Sequence, residues 1–491
     1  MRFLLALDQG TTSSRTILFD ENLNEIARSQ KEFKQIFPKP GWVEHDPEEI
    51  WESQLFTISD VIQKSGIDVK EIISIGITNQ RETVVVWDKI TGKAIYNAIV
   101  WQDRRTAEIC EELKQKNLEI YINENTGLVI DAYFSGTKIK WILENVEGAR
   151  EKAEAGELLC GTIDSWLIWK LTKGKVHATD ASNASRTMIY NIRNHSWDEK
   201  LLSELKIPKN ILPQVKNSAD DFGKAIINGL EIPISGVAGD QQAALFGQRC
   251  FEKGTAKNTY GTGCFMLMQI GEEFISSHSK LLTTIAWQLN GKVEYALEGS
   301  VFIAGAVIQW LRDQLEIISA SESSEEIAAS LETNGGVYFV PAFTGLGAPH
   351  WDMYARGNIS GLTRGTNKNH IVRAALESIA YQTRDVFEAM IKDARTELRE
   401  LRVDGGASAN TWLMQFQSDI LQTNVIRPNY TESTALGAAM LAGIGAGIFT
   451  KEGLIKLNSD TKVFSPQMKL IDADALYFEW QKAVEKTIVN S

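Results

Sequence analysis

Two β-type apolar runs joined by a turn of one glycine and four hydroxyl residues open the chain, from Leu5-Ala6-Leu7-Asp8-Gln9-Gly10 through Thr11-Thr12-Ser13-Ser14-Arg15 to Asp20. Such a turn can aim several backbone N–H groups, its hydroxyls and Arg15 at a phosphate. Asp8 stands at its mouth. A carboxylate there repels phosphate directly, and it makes sense where a hydrated Mg²⁺ lies between the two. The plainer alternative is an ordinary hairpin with a polar turn, as short Gly/Ser/Thr turns often are. A second turn of the same kind shifts the balance: Lys257-Asn258-Thr259-Tyr260-Gly261-Thr262-Gly263-Cys264-Phe265 again places Gly and Thr between strand-like runs. Two phosphate hairpins in one chain imply a duplicated architecture. A third Gly-rich segment, Asp404-Gly405-Gly406-Ala407-Ser408-Ala409-Asn410, follows a β-like stretch and opens a helical pattern through Phe416. Glycine there lets the backbone approach a nucleoside closely.

The chain's 491 residues exceed what one hydrophobic core usually supports, so two large domains are expected. Strand-like runs (Ile72–Ile77, Thr83–Trp87) alternate with helical patterns such as Pro47–Phe56, the mixture of an α/β fold with central sheets. The stretch Ile234 to Asp240 followed by Gln241-Gln242-Ala243 reads as strand, tight turn and helix, with the Asp240 carboxylate at the turn. The second hairpin begins near residue 250, which sets the expected division at 1–248 and 249–491, two lobes around a shared cleft. A net charge of −12 argues against a phosphate-backbone partner, so nucleic acid is not expected as a ligand. Cys110, Cys160, Cys250 and Cys264 show no paired metal spacing, and a core this large needs no disulfide staple; a reduced, cytoplasmic setting fits. The apolar run Phe3 to Leu7 is too short for a signal-peptide core and Ala435 to Phe449 too short to span a bilayer, so no membrane insertion is expected.

Asp8 to Arg15, Tyr260 to Phe265 and Asp404 to Asn410 together resemble the FGGY family of carbohydrate kinases, over essentially the whole chain and in the family's order. The resemblance implies a duplicated actin-like fold, also described as ribonuclease H-like or hexokinase-like, with ATP and Mg²⁺ in the cleft between two lobes. Within the family, Asn79-Gln80-Arg81-Glu82-Thr83, Gly239-Asp240-Gln241-Gln242 and Gly345 to Asp352 are similar to the members that phosphorylate glycerol to sn-glycerol 3-phosphate in glycerol uptake and catabolism. A homodimer or homotetramer is implied by family analogy.

Phosphoryl transfer needs a cradle and metal for the nucleotide's charge, a nucleophile held in line and usually a carboxylate to accept the hydroxyl proton. Asp240 is the candidate base. An acid at the head of a helix is more often an N-cap, and it is the uninterrupted Gly-Asp-Gln-Gln match that assigns this one to catalysis. Arg81 and Glu82 supply a donor and an acceptor for vicinal hydroxyls; by pattern alone such a pair is more often two solvated charges. The resemblance adds Tyr133 and Gln241 as further polar contacts to glycerol, and Trp101 and Phe265 as walls on its carbon side, where plain core packing is the alternative. It assigns Thr11, Thr12, Ser13 and Arg15 to the first phosphate hairpin, Thr262 to the second, and Gly406 with Asn410 to adenosine. Gly305 and Gln309 also match nucleotide contacts, although their stretch reads by itself as a mostly buried helix.

Between Phe222 and Ile234 the chain departs from the family pattern. Gly223-Lys224-Ala225-Ile226-Ile227 and its neighbours replace a Gly/Arg-rich loop associated with inhibition by fructose 1,6-bisphosphate, and a histidine that some relatives phosphorylate is missing. Two other readings stay open at this stage: an FGGY kinase of another polyol or sugar, and a non-catalytic actin-like ATPase that answers to a protein partner.

Overall fold

A computed structural model describes residues 2–457 and 460–489. The opening hairpin forms as its alternation of apolar and hydroxyl residues requires. Phe3–Gln9 pairs antiparallel with Ser13–Asp20, and Phe3 through Leu7 are buried on both faces, as befits the centre of a sheet covered by helices. On its other side Phe3–Gln9 runs parallel to Ile72–Asn79, which runs parallel to Leu230–Gly239. Glu25–Glu32 and Lys224–Ile227 close the two edges of this six-stranded sheet.

The second lobe repeats the plan. Thr255–Tyr260 forms a hairpin with Cys264–Gly271 and runs parallel to Glu400–Asp404, which is parallel to Val425–Pro428; the whole is a seven-stranded sheet. In both lobes a strand with a hairpin partner on one side and a parallel strand on the other carries the phosphate-type turn at its end. The duplicated, doubly layered α/β fold expected from the two turns is therefore the observed one.

Local chemistry explains the helices. Pro47–Ser65 starts at Asp46, whose side chain accepts from Glu48 N–H, with proline in the first turn, and it ends at Gly66 in the left-handed region at φ +66°. It buries Ile50, Ile58, Val61 and Ile62 against the first sheet. The Gly/Ala-rich segment set aside above as too short for a bilayer is the helix Ser433–Gly445, and it lies on the first lobe's sheet although it comes from the chain's second half. Small residues make this possible: a Cβ on Gly76 would run into the Ala438 carbonyl, so helix and strand meet backbone to backbone. Among the described residues no helix is long and apolar enough to cross a membrane.

Candidate functional site

The two phosphate-type turns share a geometry. Gly10 N–H donates to Ser13 O at 2.9 Å, and Gly261 N–H donates to Gly263 O at 2.9 Å. In the first turn the carbonyls of Thr11 and Thr12 are taken by Gln35 Nε2 and Phe33 N–H. Among the described residues the N–H groups of Thr11 and Thr12 meet no acceptor. That is the arrangement an anion-binding turn needs. Ser13 Oγ accepts from Gln30 Nε2. Arg15 is less free than the sequence suggested, because Glu432 at the head of the Ser433–Gly445 helix binds its Nη1 and Gln30 accepts from its Nε. Asp8, last but one in its strand, is pushed up to about 6 by burial, against the pull of Arg15 and with the repulsion of Asp240 and Glu432 added.

In the second lobe a cavity of about 530 Å³ gathers Thr262, Gly305, Gln309, Gly406 and Asn410, five positions scattered over the sequence. Its volume is that of a small-molecule site. The helix expected around 302–311 runs over Gly305–Asp313 with Val307, Ile308 and Leu311 buried, but Gln309 is exposed and faces this cavity, which corrects the reading of a mostly buried stretch. Gly305 lies so close to the second turn that a Cβ there would strike the Gly261 carbonyl. Asn410 caps the helix Thr411–Leu421, its side chain accepting from Leu413 N–H at 2.8 Å. A larger depression of about 750 Å³, bordered by His350, Asp385 and Tyr477, lies elsewhere and borders neither turn.

Between the two turns sits a cluster of charges. Asp240 is the first residue of the helix Asp240–Gly247, and the N-cap position belongs to Gly239. Asp240 Oδ1 accepts from Gln241 N–H at 2.7 Å and faces Arg81 Nε at 3.2 Å, while 32 % of the side chain stays exposed. Burial raises its pKa against the opposing pull of Arg81 and Lys257. Arg81 and Glu82 are not two solvated charges: they are 3 % and 1 % exposed, in the bend between Ile72–Asn79 and Val84–Asp88. Glu82 adopts φ +62°, a conformation costly for a residue with a Cβ and typical of positions held for function. Burial raises its pKa too, opposed by Arg81 and Arg186.

Two aromatic residues meet beside the first turn. Trp101 meets Tyr133 edge to face, with ring centroids 5.6 Å apart, and its indole Nε1 donates to Thr11 Oγ1 at 3.0 Å. One side chain thus ties this wall to the first turn. Burial pushes the Tyr133 phenol above its ordinary range. Phe265 is half-buried in Cys264–Gly271, in register with Thr259 and Ser300. Gln241 follows the base, and its Oε1 accepts from Lys257 Nζ.

Three charged residues of this cluster were not among the site residues expected from the sequence. Glu298 accepts from Arg81 through Nη1 and Nη2 at 2.6 and 3.0 Å, and Arg186 donates to Glu82 at 2.6 Å and to Glu298 at 3.0 Å. Lys257, fully buried, donates to Gln241 and Thr259 and has its pKa lowered by burial, against the pull of Asp404 and Asp240. The four cysteines are buried and unpaired.

Residues 3–247 match the N-terminal domain of the FGGY family of carbohydrate kinases and residues 256–446 its C-terminal domain. The glycerol kinase of Clostridium perfringens is 63 % identical over 491 residues, 99 % of this chain and 98 % of that one. The crystal structure of Plasmodium falciparum glycerol kinase with ADP superposes with a TM-score of 0.95 at 39 % identity, covering 100 % of this chain and 99 % of that one. The ligand-bound xylulose kinase of Lactobacillus acidophilus shares the fold at a TM-score of 0.88 and 23 % identity, over 99 % of this chain and 98 % of that one.

Proposed function

The chain belongs to the FGGY family of carbohydrate kinases, and from that premise we propose that it transfers the γ-phosphoryl group of ATP to glycerol, giving sn-glycerol 3-phosphate and ADP. The observation that carries the reading is the buried Arg81–Glu82 pair set against Asp240, with Arg81 Nε 3.2 Å from the Asp240 carboxylate, beside a phosphate-type turn. A pocket that pairs each hydroxyl of a small polyol discriminates strongly against analogues lacking one.

In this proposal Asp240 takes the proton of a terminal glycerol hydroxyl as its oxygen attacks the γ-phosphorus. The new O–P bond forms, the bond from the γ-phosphorus to the β,γ-bridging oxygen breaks, and ADP leaves. Burial makes Asp240 a stronger base than a solvated carboxylate, which suits it to that proton. Arg81 donates to one of the other hydroxyls and Glu82 accepts from its neighbour, with Tyr133 and Gln241 completing the polar contacts. Trp101 and Phe265 cover the carbon chain. Thr11, Thr12, Ser13 and Arg15 hold one side of the phosphates and Thr262 the other, while Gly305, Gln309, Gly406 and Asn410 take the adenosine in the 530 Å³ cavity. Closure of the lobes over this site would exclude water from the phosphoryl group.

Asp8 fits a water-mediated Mg²⁺ site. Among the described residues no three His, Cys, Asp or Glu side chains cluster closely enough to cage a metal, whereas Mg²⁺ is ordinarily held by one or two carboxylates, waters and the substrate phosphates. A half-buried acid pushed up to about 6 and crowded by Asp240 and Glu432 is a carboxylate short of positive charge. Bound there, Mg²⁺ would neutralise charge on the β- and γ-phosphate oxygens.

The proposal extends to two lobes, 1–248 and 249–491, supported by the segregation of their strands into separate sheets. A cytoplasmic enzyme is supported by four buried, free cysteines, and a homodimer or homotetramer by family analogy alone. The test is calorimetry of the protein with glycerol and a panel of other polyols in the presence of a non-hydrolysable ATP analogue, followed by turnover of each with ATP. Glycerol should bind tightest and turn over fastest; a different polyol in first place refutes the assignment.

A further inference from the structure

Two arginines of the first lobe converge on one carboxylate of the second. Glu298 lies within the strand Lys292–Val301, 1 % exposed, and binds Arg81 through both terminal nitrogens and Arg186 through Nη2. We propose that Glu298 is a positioning residue for glycerol phosphorylation: from the opposite lobe it orients the Arg81–Glu82 clamp and keeps the terminal nitrogens of Arg81 away from the Asp240 carboxylate.

The geometry divides the work. Arg81 spends Nη1 and Nη2 on Glu298, with Gln242 Oε1 a further acceptor for Nη1 at 3.3 Å, so only Nε faces Asp240. A bidentate pair fixes both the position and the plane of a guanidinium. Arg186 is fully buried, donates to Glu82 Oε1 from Nε, and has no hydrogen-bond partner for Nη1; its guanidinium faces the rings of Tyr133 and Phe134 at 5.8 and 5.4 Å. Two carboxylates therefore anchor it, one in each lobe. Glu298 thus reaches Arg81 directly and Glu82 through Arg186. Against the upward push of burial, the Arg186 and Arg81 guanidiniums hold the Glu298 carboxyl well below the usual carboxylate range.

Removing that charge leaves two buried guanidiniums without their shared anion, a costly state. The other carboxylates within reach of Arg81 are Asp240 at 3.2 Å and Glu82 at 3.8 Å. A terminal nitrogen of Arg81 turned onto Asp240 makes the base a poorer proton acceptor and leaves the glycerol hydroxyls without their donor. The nucleotide cavity, lined by Gly305, Gln309 and Asn410, contains neither arginine and should not sense the change.

This inference rests on the reading of Arg81, Glu82 and Asp240 given above, and one set of assays separates the two. Initial rates are measured with glycerol and ATP varied in turn, and ADP affinity by calorimetry, for the wild type, Glu298→Gln and Glu298→Asp. In Glu298→Gln the KM for glycerol should rise by roughly tenfold or more and kcat should fall by roughly tenfold, while the Kd for ADP stays within about twofold; Glu298→Asp, which keeps the charge, should recover most of both. Unchanged glycerol kinetics in Glu298→Gln overturn the proposal, and so does an equal loss of ADP affinity, which marks a general disturbance between the lobes. Should Glu298→Gln fail to fold, Arg186→Lys carries the test, since it keeps the charge but loses the fork that joins Glu82 to Glu298. A raised glycerol KM at constant ADP affinity in Arg186→Lys supports the proposal, and wild-type glycerol kinetics in that variant overturn it. A wild type that does not phosphorylate glycerol overturns the functional reading and this one with it, whereas an active wild type with unresponsive variants overturns this one alone.

Discussion

Asp240→Asn isolates proton acceptance from everything else Asp240 does. Asparagine keeps the volume and an Oδ1 able to accept from Gln241 N–H, at 2.7 Å in the wild type, and to face Arg81 Nε, at 3.2 Å. It removes a negative charge, yet Arg81 remains neutralised by its bidentate pair with Glu298, so no buried cation is stranded. Folding and glycerol binding should therefore change little, with the Kd for glycerol within about threefold of the wild type. The rate should not survive in the same way. Losing a general base lowers kcat by about 10²–10⁴, or about 2.7–5.4 kcal/mol of barrier at 1.36 kcal/mol per decade. Because burial has raised the basicity of Asp240, the loss should lie toward the upper part of that range. Steady-state release of ADP gives kcat, calorimetry gives glycerol affinity, and a thermal melt checks the fold. A kcat within about fivefold of the wild type at unchanged glycerol affinity would falsify the assignment of the base, and weakened glycerol binding with kcat unchanged would make Asp240 a glycerol ligand only.

Glu82→Ala leaves a substrate hydroxyl and the Nε of Arg186 without their acceptor, so kcat/KM for glycerol should fall by roughly tenfold or more, about 1.4 kcal/mol, at a nearly constant KM for ATP; equal damage to both substrates refutes the polyol clamp. Asp8→Ala should raise the Mg²⁺ concentration giving half-maximal rate, and an unmoved titration curve makes Asp8 structural. For stability the sign follows from the raised pKa of Asp8. Between its unfolded value near 3.8 and its folded value of about 6, the folded state holds a proton that the unfolded chain has lost, so ionising Asp8 costs stability as pH rises. Asp8→Asn should therefore gain on the wild type in melts without Mg²⁺ as pH goes from about 4 to above about 6, by up to about 3 kcal/mol, and a pH-independent difference refutes the shift. Fructose 1,6-bisphosphate at millimolar concentration should leave activity unchanged, because Lys224, the one cation between Phe222 and Ile234, is paired across the edge hairpin with Glu231 at 2.9 Å; saturable inhibition would reveal a site built from other residues.

What the sequence determined by itself is local. A hairpin turn, a capped helix and a strand running into a helix are specified by residues within a few positions of one another, which is why the two phosphate turns, the Pro47–Ser65 helix and the strand before Asp240 were legible, and with them the duplicated fold. The motifs also named Arg81, Glu82 and Asp240, which the structure brings together. They could not say how those residues are held. Glu298 meets Arg81 across 217 positions and Arg186 meets Glu82 across 104, and nothing in a short window marks one glutamate in an amphipathic strand as the counter-ion of two buried arginines. Arg15, free to read as a phosphate ligand, is engaged by Glu432 across 417 positions, and Gln309 looked buried until the 530 Å³ cavity opened beside it. Charges taken out of water must find partners wherever the folded chain brings them. Which carboxylate meets which guanidinium is therefore decided by how the two sheets come together, a long-range event, and only the tertiary structure contains it.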